Sequence, residues 1–154
     1  MPLDQAVEPF VLAVDIGSTS TRACLYDALA RPVKKRTAKA AHQFREGADG
    51  TAEIDADVVA AEVADVITRV LVDIAPGRVR GVAMDTFASS LVCVDDEGDA
   101  LTPCITYADS RSAPQLAQLR AELDETLVHQ AVGARLHTSY PVSYTHLTLP
   151  TNSR

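Results

Sequence analysis

The apolar pattern of the chain opens on FVLAVDI, Phe10 to Ile16, apolar nearly throughout, which predicts a buried strand. Thr21 to Tyr26 predicts a second, joined to the first by the tight link Gly17 to Ser20. Asp27 to Pro32 is polar or small and reads as a turn. Val33 to Phe44 is more solvated and basic, as an edge strand lengthening a meander would be. EGADG, Glu46 to Gly50, is a loop by composition. Asp55 stands where a helix N-cap belongs. After it Val59, Val63, Val66, Ile67, Val70, Leu71 and Ile74 recur at spacings of three and four, one apolar face of a helix that Pro76-Gly77 ends. Strands over Val79 to Met84 and Ser90 to Val94 follow, the latter closed by the turn DDEGD. A helix over Ser112 to Val128 carries Leu116, Leu119 and Leu123 on one side. The predicted order is β-β-β-α-β-β-α, and its opening hairpin excludes a simple Rossmann unit, which alternates strand and helix from the start.

The character changes at Val142. The last thirteen residues, VSYTHLTLPTNSR, hold no alanine and no acid, and five of them are Ser or Thr. They read either as an ordinary polar tail or as residues foreign to the natural gene. VSYTHLTLPTN resembles translated sequencing-adaptor read-through, so 142–154 is expected to be a non-native tail.

A length of 154 residues suits one domain with a real core, and 47% apolar with 23% charged residues is a globular composition. The net charge of −7 argues against nucleic acid or an anionic membrane as partner, since either selects a basic face. A phosphate ligand stays compatible with it, because that needs only local donors. Cys24, Cys93 and Cys104 are sparse and form no C-x-x-C pair, which suits a reducing cytoplasm and packing roles beside strands rather than redox or zinc chemistry. His42, His129 and His137 lack metal-ligand spacing. No stretch approaches the roughly 18–20 apolar residues of a membrane span, and MPLDQAVEPF lacks the features of a signal peptide.

The candidate chemistry lies in D-I-G-S-T-S-T-R. Gly17 permits a tight turn and close backbone approach to a ligand. Successive N–H groups in such a turn form a concave anion site, to which the hydroxyls of Ser18, Thr19 and Ser20 add donors. Arg22 offers a permanently charged fork for phosphate oxygens. Asp15, a poor anion contact by itself, fits a Mg²⁺ held between it and the phosphates. The alternative is a Gly/Ser turn with a capping aspartate. Neither G-x-x-x-x-G-K-[ST] nor G-x-G-x-x-G occurs.

VLAVDIGSTSTRACLYD, Val11 to Asp27, resembles the first phosphate motif of the sugar-kinase, actin and Hsp70 superfamily. VRGVAMDTFASSLVCVDDEGDALTPCITYADSRS, Val79 to Ser112, is similar to the FGGY family of carbohydrate kinases, especially its gluconokinase-like branch. There a strand ends in a substrate loop, crosses a V-D-x-x-G-x-x-L-T-P hairpin and reaches W-x-D-x-R. GTAEID, Gly50 to Asp55, resembles the family's lead into the first helix, and GARLHTSYP, Gly133 to Pro141, the segment after the second. The resemblance covers residues 8–141. It implies an α/β, RNase H-like (actin-like ATPase/sugar kinase) domain whose mixed sheet opens with an antiparallel hairpin meander and carries flanking helices.

The resemblance implies that Asp15, Gly17, Ser18, Thr19, Ser20 and Arg22 face Mg²⁺-ATP, with Asp15 on the metal. It implies Ser89, Ser90, Asp109, Arg111 and Tyr140 as carbohydrate-facing residues and His137 as a wall of the same cleft. Asp109 and Arg111 read equally as substrate ligands or as an ion pair bracing their loop. Family members of the gluconokinase type show Thr-Phe-Trp-His-Ser where this chain has Thr86-Phe87-Ala88-Ser89-Ser90, which leaves the acceptor open among sugars, polyols and sugar acids. The family's base, second phosphate loop and adenosine site belong to a C-terminal kinase domain, so no catalytic residue is assigned here. The chain alone is expected to be inactive, a truncated part of a cytoplasmic kinase compatible with a homodimer when full length. Its partners would be ATP and a small-molecule carbohydrate. The competing readings are a non-catalytic sugar- or nucleotide-binding module and a non-kinase ATPase of the same superfamily, the latter disfavoured by the resemblance of Val79 to Ser112.

Overall fold

A computed structural model describes residues 1–139. They fall into two compact units: Met1–Phe44 with Asp55–Phe87, and Arg45–Ile54 with residues 88–139.

In the first unit, β1 (Phe10–Ile16), β2 (Ser20–Tyr26) and β3 (Pro32–Ala41) form an antiparallel meander, and β6 (Val79–Thr86) adds to β1 in parallel. The strand order is β3-β2-β1-β6, so the basic third strand is indeed an edge. Strand alternation sends Phe10, Leu12, Val14 and Ile16 to one face, with Ala23 and Leu25 beside them. Helix α1 (Ala56–Leu71) lies over that face and buries Val66 and Val70 in it. Full burial of Phe10, Leu25, Val66 or Val70 contributes about 1.5–3 kcal/mol each. The opposite face stays open: Val11 and Asp15 are exposed there. β1 is therefore half-buried, not enclosed on both sides as its apolar run predicts.

Asp55 caps α1 as expected, its Oδ1 accepting from the N–H groups of Asp57 (2.9 Å) and Val58 (3.1 Å). The helix stops at Leu71, ahead of Pro76-Gly77, because Asp73 turns left-handed at φ 58°. Arg36 donates to the carbonyls of Val70 and Val72 that this end exposes. Asp27, read from the sequence only as part of a turn, is fully buried as a lock. Its carboxylate accepts from the N–H groups of Val7, Leu29 and Arg31 and from the Arg31 guanidinium.

In the second unit, β4 (Arg45–Glu46) and β5 (Ala52–Ile54) form a small hairpin on which β7 (Cys104–Ile105) pairs antiparallel to β5. EGADG is the loop of that hairpin. Gly50 has φ 93°, and a Cβ there would lie 2.5 Å from Ser110 Oγ, so this position does require glycine. Ser90 to Val94 forms no strand. Only the bridges Leu91–Ile105 and Val94–Ala100 occur, because the Thr102 hydroxyl takes the Cys93 N–H (3.1 Å) that a ladder would need. The predicted Ser112-to-Val128 helix is two, α2 (Ala113–Glu122) and α3 (Glu125–Val132). Leu123 is extended, and Asp124 starts a new helix by accepting from Thr126 and Leu127.

Candidate functional site

The open face of the first unit's sheet carries one charged row across all four strands. Register pairs Lys39 with Arg22, Arg22 with Asp15 and Asp15 with Asp85. Residues paired in this way share a face, so two cations stand beside two carboxylates. Asp15, Arg22, Asp85, Cys24, Tyr26 and Thr37 line a cavity of about 480 Å³ over this face. Cys24 beside Tyr26, through its charge and then a hydrogen bond, pushes the phenol above its usual range.

The Gly17–Ser20 turn closes the β1–β2 hairpin alongside the middle of this row, with the Gly17 N–H donating to the Ser20 carbonyl at 3.0 Å. Its residues do not line the cavity, so the structure brings Asp15 and Arg22 together there and leaves the turn beside them. Among the described residues, the N–H groups of Ser18 and Thr19 donate to nothing and remain open to a ligand. Ser20 is buried, and its hydroxyl accepts from Arg22 Nε at 3.3 Å, so it orients the guanidinium from within. Gly17 does not carry a left-handed backbone. A Cβ would meet only Ser20 O at 3.5 Å and Asp15 Oδ1 at 3.8 Å, which is ordinary contact. The turn itself tolerates a side chain; only a ligand above it would not.

These residues fit a magnesium nucleotide. Mg²⁺ takes one or two carboxylates and keeps waters, which Asp15 with Asp85 can supply. The cations and the free turn amides suit phosphate oxygens. Asp85 and Lys39 were missed in the sequence. The signal for Asp85 is the ending M-D-T on β6, which resembles V-D-I on β1 and has meaning only once those strands pair in parallel, while Lys39 is one more basic residue of the edge strand β3.

In the second unit, Ser89, Tyr107, His129, Arg135, His137 and Ser139 line a cavity of about 690 Å³. Ser89 sits there at φ 53°, a left-handed conformation that costs a non-glycine residue roughly 1–2 kcal/mol. Ser90 is not among the lining residues and donates to Ala88 O at 3.3 Å. His137 Nδ1 accepts from Ser139 N–H at 3.1 Å. Tyr107, at the place of the tryptophan in W-x-D-x-R, and Arg135 are lining residues not assigned from the sequence. Tyr140 lies outside the described residues, as does the tail 142–154.

Asp109 and Arg111 are held in a buried network. Asp109 is 1% exposed and accepts from Ala52 N–H (2.9 Å), Arg111 N–H (3.0 Å) and Arg111 Nε (2.9 Å). Arg111 also reaches Glu53 Oε2 at 3.0 Å, and Arg45 pairs with the other Glu53 oxygen. The ion pair thus ties β5 to the loop after β7, and it leaves the arginine about one-third exposed. Burial pushes the Cys104 thiol up, away from reactivity. Among the described residues no group of three or more His, Cys, Asp or Glu could hold a metal, and no helix is long and apolar enough to cross a membrane.

Gluconokinase of Bacillus subtilis (strain 168) is 27% identical over 134 residues, 87% of this chain and 26% of that protein. The chain thus spans about a quarter of the length of the curated relatives it matches. A crystal structure of gluconate kinase from Lactobacillus acidophilus superposes with TM-score 0.78 at 20% identity, over 88% of this chain and 27% of that one. Plasmodium falciparum glycerol kinase with ADP superposes with TM-score 0.77 at 14% identity, over 90% and 28%. At these identities the neighbours establish the fold, the RNase H-like fold of sugar kinases that the family resemblance implied. The model of the FGGY family of carbohydrate kinases, N-terminal domain, matches residues 10–147. That match spans most of the sequence, and the chain belongs to the FGGY family of carbohydrate kinases, as its N-terminal domain.

Proposed function

We propose that the complete protein is an ATP-dependent carbohydrate kinase. It transfers the γ-phosphate of ATP to a hydroxyl of a sugar, polyol or sugar acid, and this chain supplies one wall for each substrate. The observation that carries this reading is the row Lys39–Arg22–Asp15–Asp85 beside a turn with open amides. A bound Mg²⁺ would neutralise phosphate charge there, with Asp15 and Asp85 as its protein carboxylates. Arg22, steadied by the Ser20 hydroxyl, and Lys39 oppose the remaining phosphate charge, while the N–H groups of Ser18 and Thr19 fix phosphate orientation. The likeness to a glycerol kinase seen with ADP supports the nucleotide half. The strained Ser89 and its cavity support a carbohydrate half, in which Ser89, Arg135 and Tyr107 offer donors and an aromatic wall. Asp109 and Arg111 brace this half, and Arg111, about one-third exposed, is proposed to meet a hydroxyl or carboxylate of the substrate.

The base that accepts the hydroxyl proton is assigned to a C-terminal domain, as are the second phosphate loop and the adenosine pocket. Residues 8–141 are proposed as the family domain and 142–154 as a non-native tail, with the family match running six residues into it, to residue 147; the cytoplasm is the proposed compartment. The full-length chain is compatible with a homodimer.

The test is ADP release by the full-length protein over a panel of gluconate, xylulose, apulose and glycerol. One acceptor should give Mg²⁺-dependent turnover, and Asp15→Asn should lower kcat/KM about 100-fold or more, the scale of losing a charge-stabilising group. Tight ATP or carbohydrate binding without transfer would instead support a binding module, and unchanged turnover in Asp15→Asn would overturn the metal assignment.

A further inference from the structure

We propose that His42 and Glu62 form a positioning pair that holds the nucleotide-facing turn in its binding shape, an inference resting on the nucleotide reading above. His42 directly follows β3, and its side chain is 4% exposed. Nε2 lies 2.8 Å from the Gly17 carbonyl oxygen, and Nδ1 lies 2.7 Å from Glu62 Oε2 on α1. The same carboxylate oxygen accepts from the Thr21 hydroxyl at 3.3 Å. The main-chain N–H of His42 donates to Thr19 O at 3.1 Å.

A carbonyl can only accept, so Nε2 carries a proton, and a second proton lies between Nδ1 and Oε2. With both nitrogens engaged the ring cannot rotate. It is a strut from the helix to the turn. Its consequence follows from peptide geometry. The Gly17 carbonyl and the Ser18 N–H belong to one planar trans peptide and point in opposite directions. Drawing that carbonyl towards His42 therefore turns the Ser18 N–H outward, towards the place assigned to phosphate. The Gly17 N–H, in the preceding peptide, closes the same turn on Ser20 O.

The pair is tested in the full-length protein by His42→Ala, Glu62→Ala, the double variant and Glu62→Gln. His42→Ala keeps the main-chain bond to Thr19, so it reports the side chain alone. In Glu62→Gln the amide can donate to Nδ1 of a neutral ring whose Nε2–H still reaches Gly17, so connectivity survives without charge. Each alanine variant should weaken MgATP binding about tenfold, the scale of one lost hydrogen bond to a positioned group. The double variant should be no worse than the worse single, and KM for the carbohydrate should move less than twofold. Glu62→Gln should restore most of the affinity. In the nucleotide-free protein, amide exchange at Gly17 should quicken in both alanine variants. Unchanged exchange and unchanged nucleotide affinity would make His42 a packing residue and overturn the proposal. A Glu62→Gln variant as impaired as Glu62→Ala would overturn the strut. Faster exchange in a protein whose wild type binds no MgATP would support the brace and overturn the nucleotide reading instead.

Discussion

Gly17→Ala separates a glycine kept for the turn from one kept for a ligand. The new methyl would meet Ser20 O at 3.5 Å and Asp15 Oδ1 at 3.8 Å, both ordinary van der Waals distances, and the backbone there is not left-handed. The folded protein therefore incurs no clash, while the unfolded chain loses freedom. Such a substitution stabilises by about 0.4–1 kcal/mol. A phosphate drawn against the open Ser18 and Thr19 amides would meet that methyl. Forcing one extra carbon into a close contact costs about 1–3 kcal/mol, which at 1.4 kcal/mol per decade is roughly 5- to 150-fold in Kd. Urea unfolding and calorimetric MgATP titration of the same full-length preparation read both quantities. The expected result is a variant at least as stable as wild type that binds nucleotide at least five times more weakly. Unchanged affinity would refute the approach of phosphate to this face. A loss of more than about 1 kcal/mol of stability would refute the claim that the turn tolerates a side chain.

Gly50→Ala should behave in the opposite way. Its φ of 93° and a Cβ 2.5 Å from Ser110 Oγ and 3.3 Å from the Ser110 carbonyl carbon predict a loss of about 2 kcal/mol in urea unfolding. Adding Ser110→Ala should recover only the part due to the hydroxyl. Asp27 should govern acid stability. The Arg31 guanidinium first, then the N–H groups of Arg31, Val7 and Leu29, hold its carboxyl well below the usual carboxylate range despite its burial. Its folded value lies below the unfolded value of about 3.9. Its contribution is therefore complete above that pH and fades as the pH falls towards the folded value. Asp27→Asn should lower the urea midpoint at pH 7, and the gap from wild type should narrow below about pH 4. A gap that stays constant to pH 2 would show that the ion pair is not the cause.

What could be read from the sequence and what could not divides along the range of the forces involved. Asp55 as a cap and the three-and-four spacing from Val59 to Leu71 are local, and both appear in the structure as written. The hairpin is local too, and with Val79 to Ser112 it was enough to recognise the FGGY family. The breaks in expected elements came from single side chains competing with regular hydrogen bonding: Thr102 at Cys93, and Asp124 within the predicted second helix. Such competition adds no periodic signal, because Thr and Asp are equally at home on a solvated face. The site is harder still, since it depends on pairing between distant segments. Asp85 is an ordinary acid in VAMDT until the parallel register sets it beside Asp15, seventy residues earlier. His42 looks like one more residue of a basic edge strand until α1 brings Glu62 to one nitrogen and the hairpin brings Gly17 to the other. In the sequence the turn was a set of donors of open orientation. Its orientation comes from a helix twenty residues beyond the histidine, and no reading of D-I-G-S-T-S-T-R alone contains that constraint.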